Sequence, residues 1–360
     1  MTIDGKDIRR ARADRGWSQA QLLGALRARA VQHGIVLMTP TSLRVALSRW
    51  ENNRARPDGV HSRLLREVLD LPTHQPAAVD EGDSLFGVLQ SHTNSLRVLD
   101  RRFGAPAARL QTAAHVTALE TMWHGASGAD RTVIARAQAD AAALAAWQDF
   151  DVGDFTAATE HYAQARIAAS RAEDAILLAH TIGEESVLLA ETGHGSTALA
   201  QVARAERMPR LPALLRSWLS ATRAQVATYS PGMSADAREA LMTAEVLLPD
   251  RSGDENDLPF IAHDPIHLAR WAGHILARLG DPAATALTLD SMRAIPEDFV
   301  RARCAQQLDL ADAALSADRR EEAASLLSDT AERIGVLGSG RLRRRHNLLV
   351  RRSRHLTAAV

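Results

Sequence analysis

At 360 residues, with 46% hydrophobic and 24% charged side chains, the chain has room for two or three domains and a sizeable core, which excludes a disordered or collagen-like polypeptide. A single cysteine, Cys304, rules out a disulfide framework and a thiolate metal cluster, and no apolar run approaches the about 18 residues that a membrane span needs. The net charge is zero but unevenly spread: residues 1–72 hold 13 Lys/Arg against 7 Asp/Glu, residues 341–360 hold seven Arg and no acid, and the stretch between is acidic by 13. A basic head on an acidic body predicts a phosphate-binding module joined to a second function. With no charged-then-apolar leader and a lone cysteine, a reducing, cytoplasmic location is expected.

The first predicted helix is short, Ile8 to Arg15, and stops at Gly16, a residue at ease in the left-handed conformation that ends helices. Ser18 then offers an N-cap, with Trp17 before it placed to pack on Leu22, and the second helix runs to about Arg29–Gln32. Thr39-Pro40 opens a third helix, Thr39 as N-cap and Pro40 at the first helical position. Leu43, Leu47 and Trp50 recur at helical spacing and with Ala46 make a core face. Thr41, Ser42, Arg44, Val45, Ser48 and Arg49 then point outward. Asn52-Asn53 and Arg56-Pro57 end this helix, and Leu64, Leu65, Val68 and Leu69 supply a closing one.

Arg12, the run Gly16-Trp17-Ser18-Gln19-Ala20-Gln21-Leu22, and Ser48-Arg49-Trp50-Glu51-Asn52 with Arg56-Pro57 occur in an order that resembles the Cro-repressor/xenobiotic-response-element type of helix-turn-helix family. The 31 positions from Gln19 to Trp50 exceed that family's usual spacing; a long turn before a Leu-Ser-Arg-Trp-Glu-Asn stretch is similar to actinobacterial regulators of this type. The resemblance implies double-stranded DNA as partner, Gln19 opening the second helix against the DNA backbone, and Arg12 paired structurally with Glu51. It also implies a polar third helix sized for the major groove. The expected groove contacts are Thr41, Ser42, Arg44, Ser48 and Arg49, with Gln19 and Arg54 on phosphates. One short helix reads few bases, so a homodimer on paired half-sites is expected.

Residues 73–84 are polar and turn-rich and read as a linker; 85–124 read as a helical hairpin broken at Gly104-Ala105-Pro106, with Leu96, Leu99 and Phe103 on one apolar face. Beyond it, four positions recur at offsets 0, 5, 9 and 12: Gly153, Ala158, Tyr162, Ala165; Gly193, Ala198, Val202, Ala205; and Gly232, Ala237, Leu241, Ala244. Gly280, Leu289 and Met292 make a weaker copy with Thr285 for the alanine, and Ala323, Leu327 and Thr330 make another with Asp318 for the glycine. The pattern resembles tetratricopeptide repeats, five of them, though generic helical hairpins would also carry it. The family register implies a concave face formed by Trp147, Phe150, Thr222, Val226, Tyr229, His267, Arg270, His274 and Arg278. The last four form one helical stripe suited to a carboxylate or phosphate, such as a peptide terminus. The acidic loop at Asp250, Asp254, Glu255 and Asp257 is a competing partner for that stripe.

No recognised catalytic motif is present, so no enzyme activity, cofactor or metal is expected. His263, Asp264 and His267 lack a third strong metal ligand, and Asp264-Pro265 reads better as a helix start. Cys304 reads as a small buried apolar residue. The arginine-rich stretch from Arg341 to Arg354 reads first as a capping helix with Leu342, Leu348, Leu349 and Val350 packed inward, and second as a nucleic-acid contact.

The expected architecture is all-α: a helix-turn-helix bundle over 1–72, the linker, a connecting hairpin over 85–125, a tetratricopeptide-like α-superhelix over 126–340, and a basic cap over 341–360. The expected function is a DNA-binding transcriptional regulator. Its repeat domain would dimerise or bind a peptide, small-molecule effector or protein partner; a protein–protein scaffold that makes no use of DNA is the alternative.

Overall fold

The computed structural model describes residues 5–33, 35, 37–52, 55, 57–71, 84–249, 258–297 and 299–358. These hold seventeen α-helices and one 3-10 turn, and no strand. The chain divides into two compact units, 1–80 and 81–360, so the expected connecting hairpin, repeats and cap all belong to the second. Of the expected linker only Ser84 is described. No helix among the described residues is long and apolar enough to cross a membrane.

The first unit contains α1 (Gly5–Asp14), α2 (Gln19–Gln32), α3 (Pro40–Glu51) and α4 (Gly59–Leu69). Ser18 caps α2 in a reciprocal box: its hydroxyl accepts from the Gln21 amide while the Gln21 side chain accepts from the Ser18 amide. Thr39 caps α3 with Pro40 at its first turn, and Asp58 caps α4. Ile8, Leu22, Leu43, Leu47, Leu64 and Leu65 are fully buried at the centre, with Trp17 packed on them. Each such burial is worth about 1.5–3 kcal/mol.

The second unit begins with α5 (Leu85–Phe103), a 3-10 turn and α6 (Arg109–Gly125). Phe103 does not join the predicted apolar face and is exposed; Leu89, Thr93, Leu96 and Asp100 form the buried row instead. Five hairpins follow: α7 (Gly128–Val152) with α8 (Phe155–Arg171), α9 (Ala175–Glu191) with α10 (Gly195–Glu206), α11 (Ala213–Ala227) with α12 (Ser234–Leu247), α13 (Pro265–Arg278) with α14 (Ala283–Ala294), and α15 (Val300–Ser316) with α16 (Arg320–Leu337). α17 (Gly340–Ala358) ends the unit.

The recurrent turn position is left-handed in all five hairpins, from φ +96° at Gly153 to +58° at Asp318. The small or apolar residues after it seat the second helix against the first: Ala158, Tyr162 and Ala165, and their counterparts from 198, 237 and 323 onward, are buried. The fourth hairpin slips by one residue. Ala284, Thr288 and Ser291 are buried there, while Leu289 is exposed and Thr285 and Met292 only partly covered. α7 is buried almost all round, and its run of alanines lets neighbours approach closely.

The first helices pack in order, α7 on α9, α9 on α11, α11 on α13 and α13 on α15. The row then closes, because α5 touches both α7 and α15, and α17 touches α15 and α7. Ion pairs fasten the closure: Arg301 of α15 donates to Asp100 of α5 at 2.5 and 3.0 Å and lies 3.3 Å from Asp151 of α7. Ser339 donates to Asp151 at 2.8 Å. α17 runs from Val152 and Gly153 at the end of α7, where Gly340 sits too close for any side chain, to Asp312 and Ser316 at the end of α15.

Candidate functional site

Two places concentrate side chains that a packed core does not explain. The first is α3. Its buried face is Leu43, Leu47 and Trp50, leaving Ser42, Arg44, Val45, Ser48 and Arg49 exposed. No ion pair engages Arg44 or Arg49 among the described residues, so two guanidinium groups stand free on one helix surface. Of the other expected contacts, Arg54 lies outside the described residues, as does the side chain of Thr41.

The C-terminal end of α3 is fixed from below. Arg12 donates to both oxygens of Glu51, at 2.6 and 3.0 Å, and to the Trp17 carbonyl at 2.8 Å. Gln19, at the first turn of α2, donates to Glu51 Oε2 at 2.8 Å. Its amide is thus committed inside the unit rather than held out at the surface. Burial pushes the Glu51 carboxyl up, but the hydrogen bonds from Arg12 and Gln19 outweigh it and hold the group below the usual carboxylate range.

The second place is a cavity of about 420 Å³ enclosed by the first helices of the hairpins together with α5 and α17. Six of the nine residues expected on the concave face line it: Trp147, Tyr229, His267, Arg270, His274 and Arg278. Phe150, Thr222 and Val226 do not. All three are fully buried in helix packing, with the Thr222 hydroxyl donating to the Trp218 carbonyl. Where an open concave groove is expected, the closed row of helices makes a chamber.

Its charges are mostly neutralised from wall to wall. Arg97 donates to Asp140 at 2.5 Å, Arg341 to Glu191 at 2.5 and 2.8 Å, and Arg345 to Asp309 at 2.6 Å, while Arg301 is shared by Asp100 and Asp151. His274 Nδ1 lies 2.7 Å from the same Asp309. Burial pushes Asp309 up, but Arg345 and His274 prevail and bring it to about 2. Arg278 bonds the Thr228 hydroxyl and lies 3.8 Å over the Tyr229 ring.

Arg270 is different. It has no carboxylate or hydrogen-bond partner among the described residues, its Nε is buried and unsatisfied, and burial lowers its pKa to about 10. Across the chamber, burial raises Glu184 to about 8 and lowers His180 to about 3. Both are therefore neutral near pH 7. His180 packs between Trp218 and Phe260, with centroids 5.0 and 4.6 Å away, and Trp218 meets Trp271 edge to face at 6.4 Å.

The other singled-out groups take structural posts. Asp264 caps α13, accepting from the His267 amide and ring, and His263 bonds Ser217 at 2.9 Å. Cys304 is buried among Leu308, Ile334 and Leu337. Arg341, Arg345 and Arg352 of the basic tail are ion-paired within the unit, and Leu342 and Leu349 are buried. Leu348 instead lines the chamber and is largely exposed.

Sequence reasoning missed the chamber's carboxylates. A signal was present, since His180, Glu184, Val187 and Glu191 repeat on α9 the one-sided spacing of the α13 stripe, and all four line the cavity. No family model matches this chain, and no curated protein or solved structure matches it either.

Proposed function

We propose that this chain is a sequence-specific, DNA-binding transcriptional regulator, with the first unit as its DNA-reading head and the chamber of the second as an effector site. The observation that carries it is the exposed row Ser42, Arg44, Ser48 and Arg49, with two unpaired arginines, on a helix whose opposite face is locked in the core. A polar helix held rigidly with free guanidinium groups outward suits the major groove, where arginine pairs with guanine edges and phosphates. The resemblance of the first unit to the xenobiotic-response-element type of helix-turn-helix supports the same reading, as does its basic charge. Homodimerisation belongs to the proposal because one such helix reads too few bases for useful specificity.

The test is selection from a random-sequence DNA pool by the purified full chain at two salt concentrations. An enriched palindrome whose binding weakens as salt rises, and is lost in the folded Arg44→Ala/Arg49→Ala variant, is expected. A folded protein that enriches nothing at either salt overturns the DNA reading and leaves a protein–protein scaffold.

A further inference from the structure

The chamber holds more arginine than its wall carboxylates match. Four lining arginines, Arg97, Arg301, Arg341 and Arg345, are matched by wall carboxylates. Arg278 is satisfied by Thr228 and the Tyr229 ring, and Arg344 lies 4.5 Å over Phe155. Arg101, which lines the same chamber from α5, and Arg270, with its Nε buried and unbonded, have no carboxylate or hydrogen-bond partner among the described residues. One turn on along the same face of α13, His274 Nε2 is also buried without a partner, because its other ring nitrogen is taken by Asp309. A guanidinium whose Nε is buried without a hydrogen bond is under-solvated, a cost that a partner arriving from outside would remove.

The wall beside Arg270 is aromatic. Trp271 follows it in sequence, Trp218 meets Trp271, and Phe260 lies beyond His180. Trp147 lines the same cavity from α7. Flat apolar surface with an uncommitted planar fork describes a small-molecule site: the fork fixes orientation and the rings supply burial. The volume, about 420 Å³, falls at the low end of such sites.

We propose that the chamber binds a small organic anion with a flat apolar body, a carboxylate seated on Arg270 and the body against Trp218 and Trp271. This deepens the effector reading above by naming the ligand's chemical class. An uncommitted guanidinium fork matches a carboxylate through two parallel hydrogen bonds.

The experiment is calorimetric titration of the full chain, without DNA, with three probes of one shape: 1-naphthylacetate, its neutral amide, and 1-naphthylmethylammonium. The anion is expected to bind at one site per chain, at least tenfold tighter than the amide, with no binding of the cation. Arg270→Gln is expected to bring anion and amide to equal affinity. Arg270→Lys, which keeps the charge but not the fork, is expected to retain part of the preference, and Arg10→Gln in the first unit to change nothing. Equal binding of anion and amide to the unmodified protein, no binding of the anion at millimolar concentration, or an undiminished preference in folded Arg270→Gln overturns the proposal. Because no DNA is present, anion binding without DNA selection would sink only the regulator reading, and the converse result only this one.

Discussion

Arg12 holds both carboxylate oxygens of Glu51 across 39 residues of chain, joining α1 to the last turn of α3. Glu51 is 3% exposed, and Gln19 from α2 bonds it as well, so one buried carboxylate ties three helices together. Glu51→Gln should therefore destabilise the first unit by about 2 kcal/mol, since it strands a charged Arg12 against a neutral amide. The folded pKa of Glu51 is lowered, so its contribution is present above the unfolded value near 4.5 and is lost as pH falls through the folded value. Thermal unfolding of the full chain at pH 7 and pH 4, followed by an NMR or fluorescence probe on Trp17 or Trp50, checks this. An early transition at pH 7 in the variant, with the gap to the unmodified protein narrower at pH 4, is expected.

Arg44 and Arg49 have no ion-pair partner among the described residues, so removing them should leave stability intact and act on DNA alone. If each neutralises a phosphate, its replacement by alanine should lower the slope of log affinity against log salt by about 1. A loss confined to certain base pairs, with the slope unchanged, would instead assign that arginine to a base edge. Equilibrium binding at four salt concentrations separates the outcomes, and unchanged affinity in both variants would remove α3 from the interface.

Much of this architecture was legible because it rests on local rules. The caps at Ser18 and Thr39 and the core face of α3 each depend on residues within a few positions of one another. The repeat spacing located four of the five second helices in register, because a left-handed turn followed by a small residue leaves a mark at fixed distance. It failed at α14, which starts three residues after its turn position where the others start two, and whose buried face falls one residue early, on Ala284, Thr288 and Ser291. The chamber's closure was not legible. It depends on Arg301 meeting Asp100 across 201 residues and on Arg341 meeting Glu191 across 150, pairings that no local pattern encodes.

Asp318 occupies the turn where the other four copies carry glycine, at φ +58°, a conformation that costs an ordinary side chain about 1 kcal/mol. Aspartate tolerates it better than most, and its carboxylate reaches Arg320 at 2.7 Å on the surface. Asp318→Gly should therefore stabilise the second unit by no more than about 0.5–1 kcal/mol, whereas Asp318→Val should destabilise it by more. Urea unfolding of the three proteins gives the ranking, and a Gly variant less stable than the Val variant would refute the strain argument.

Arg270, partly exposed but with its Nε buried and unbonded, is expected to cost the protein stability when no ligand is added. Arg270→Met keeps much of the side chain's length and removes the charge, so the unliganded variant should melt higher, by roughly 1 kcal/mol at the midpoint. A site retained for binding at the expense of stability behaves in this way, whereas a residue kept for packing does not. A lower melting temperature for Arg270→Met would assign Arg270 a structural post instead.

Glu184 provides the clearest pH signature. Burial raises its carboxyl to about 8, while Arg97 pulls down and Asp140 and Asp100 push up, with His180 facing it from the preceding turn. The folded state holds this proton after the unfolded chain, near 4.5, has released it. Its contribution is therefore full below about pH 4.5 and declines as pH rises through 8. His180, His115 and His263 are lowered to about 3, 4 and 4, so their contributions are complete above about 6.5 and fade only in acid. Between pH 6.5 and 8, then, Glu184 is the group among these four that makes stability fall with pH, by on the order of 1 kcal/mol. Glu184→Gln should flatten that slope while leaving the acid limb, which the histidines set, in place. Urea midpoints at pH 6.5, 7.2 and 8 for both proteins decide it, and parallel slopes would show that Glu184 is already ionised in the fold.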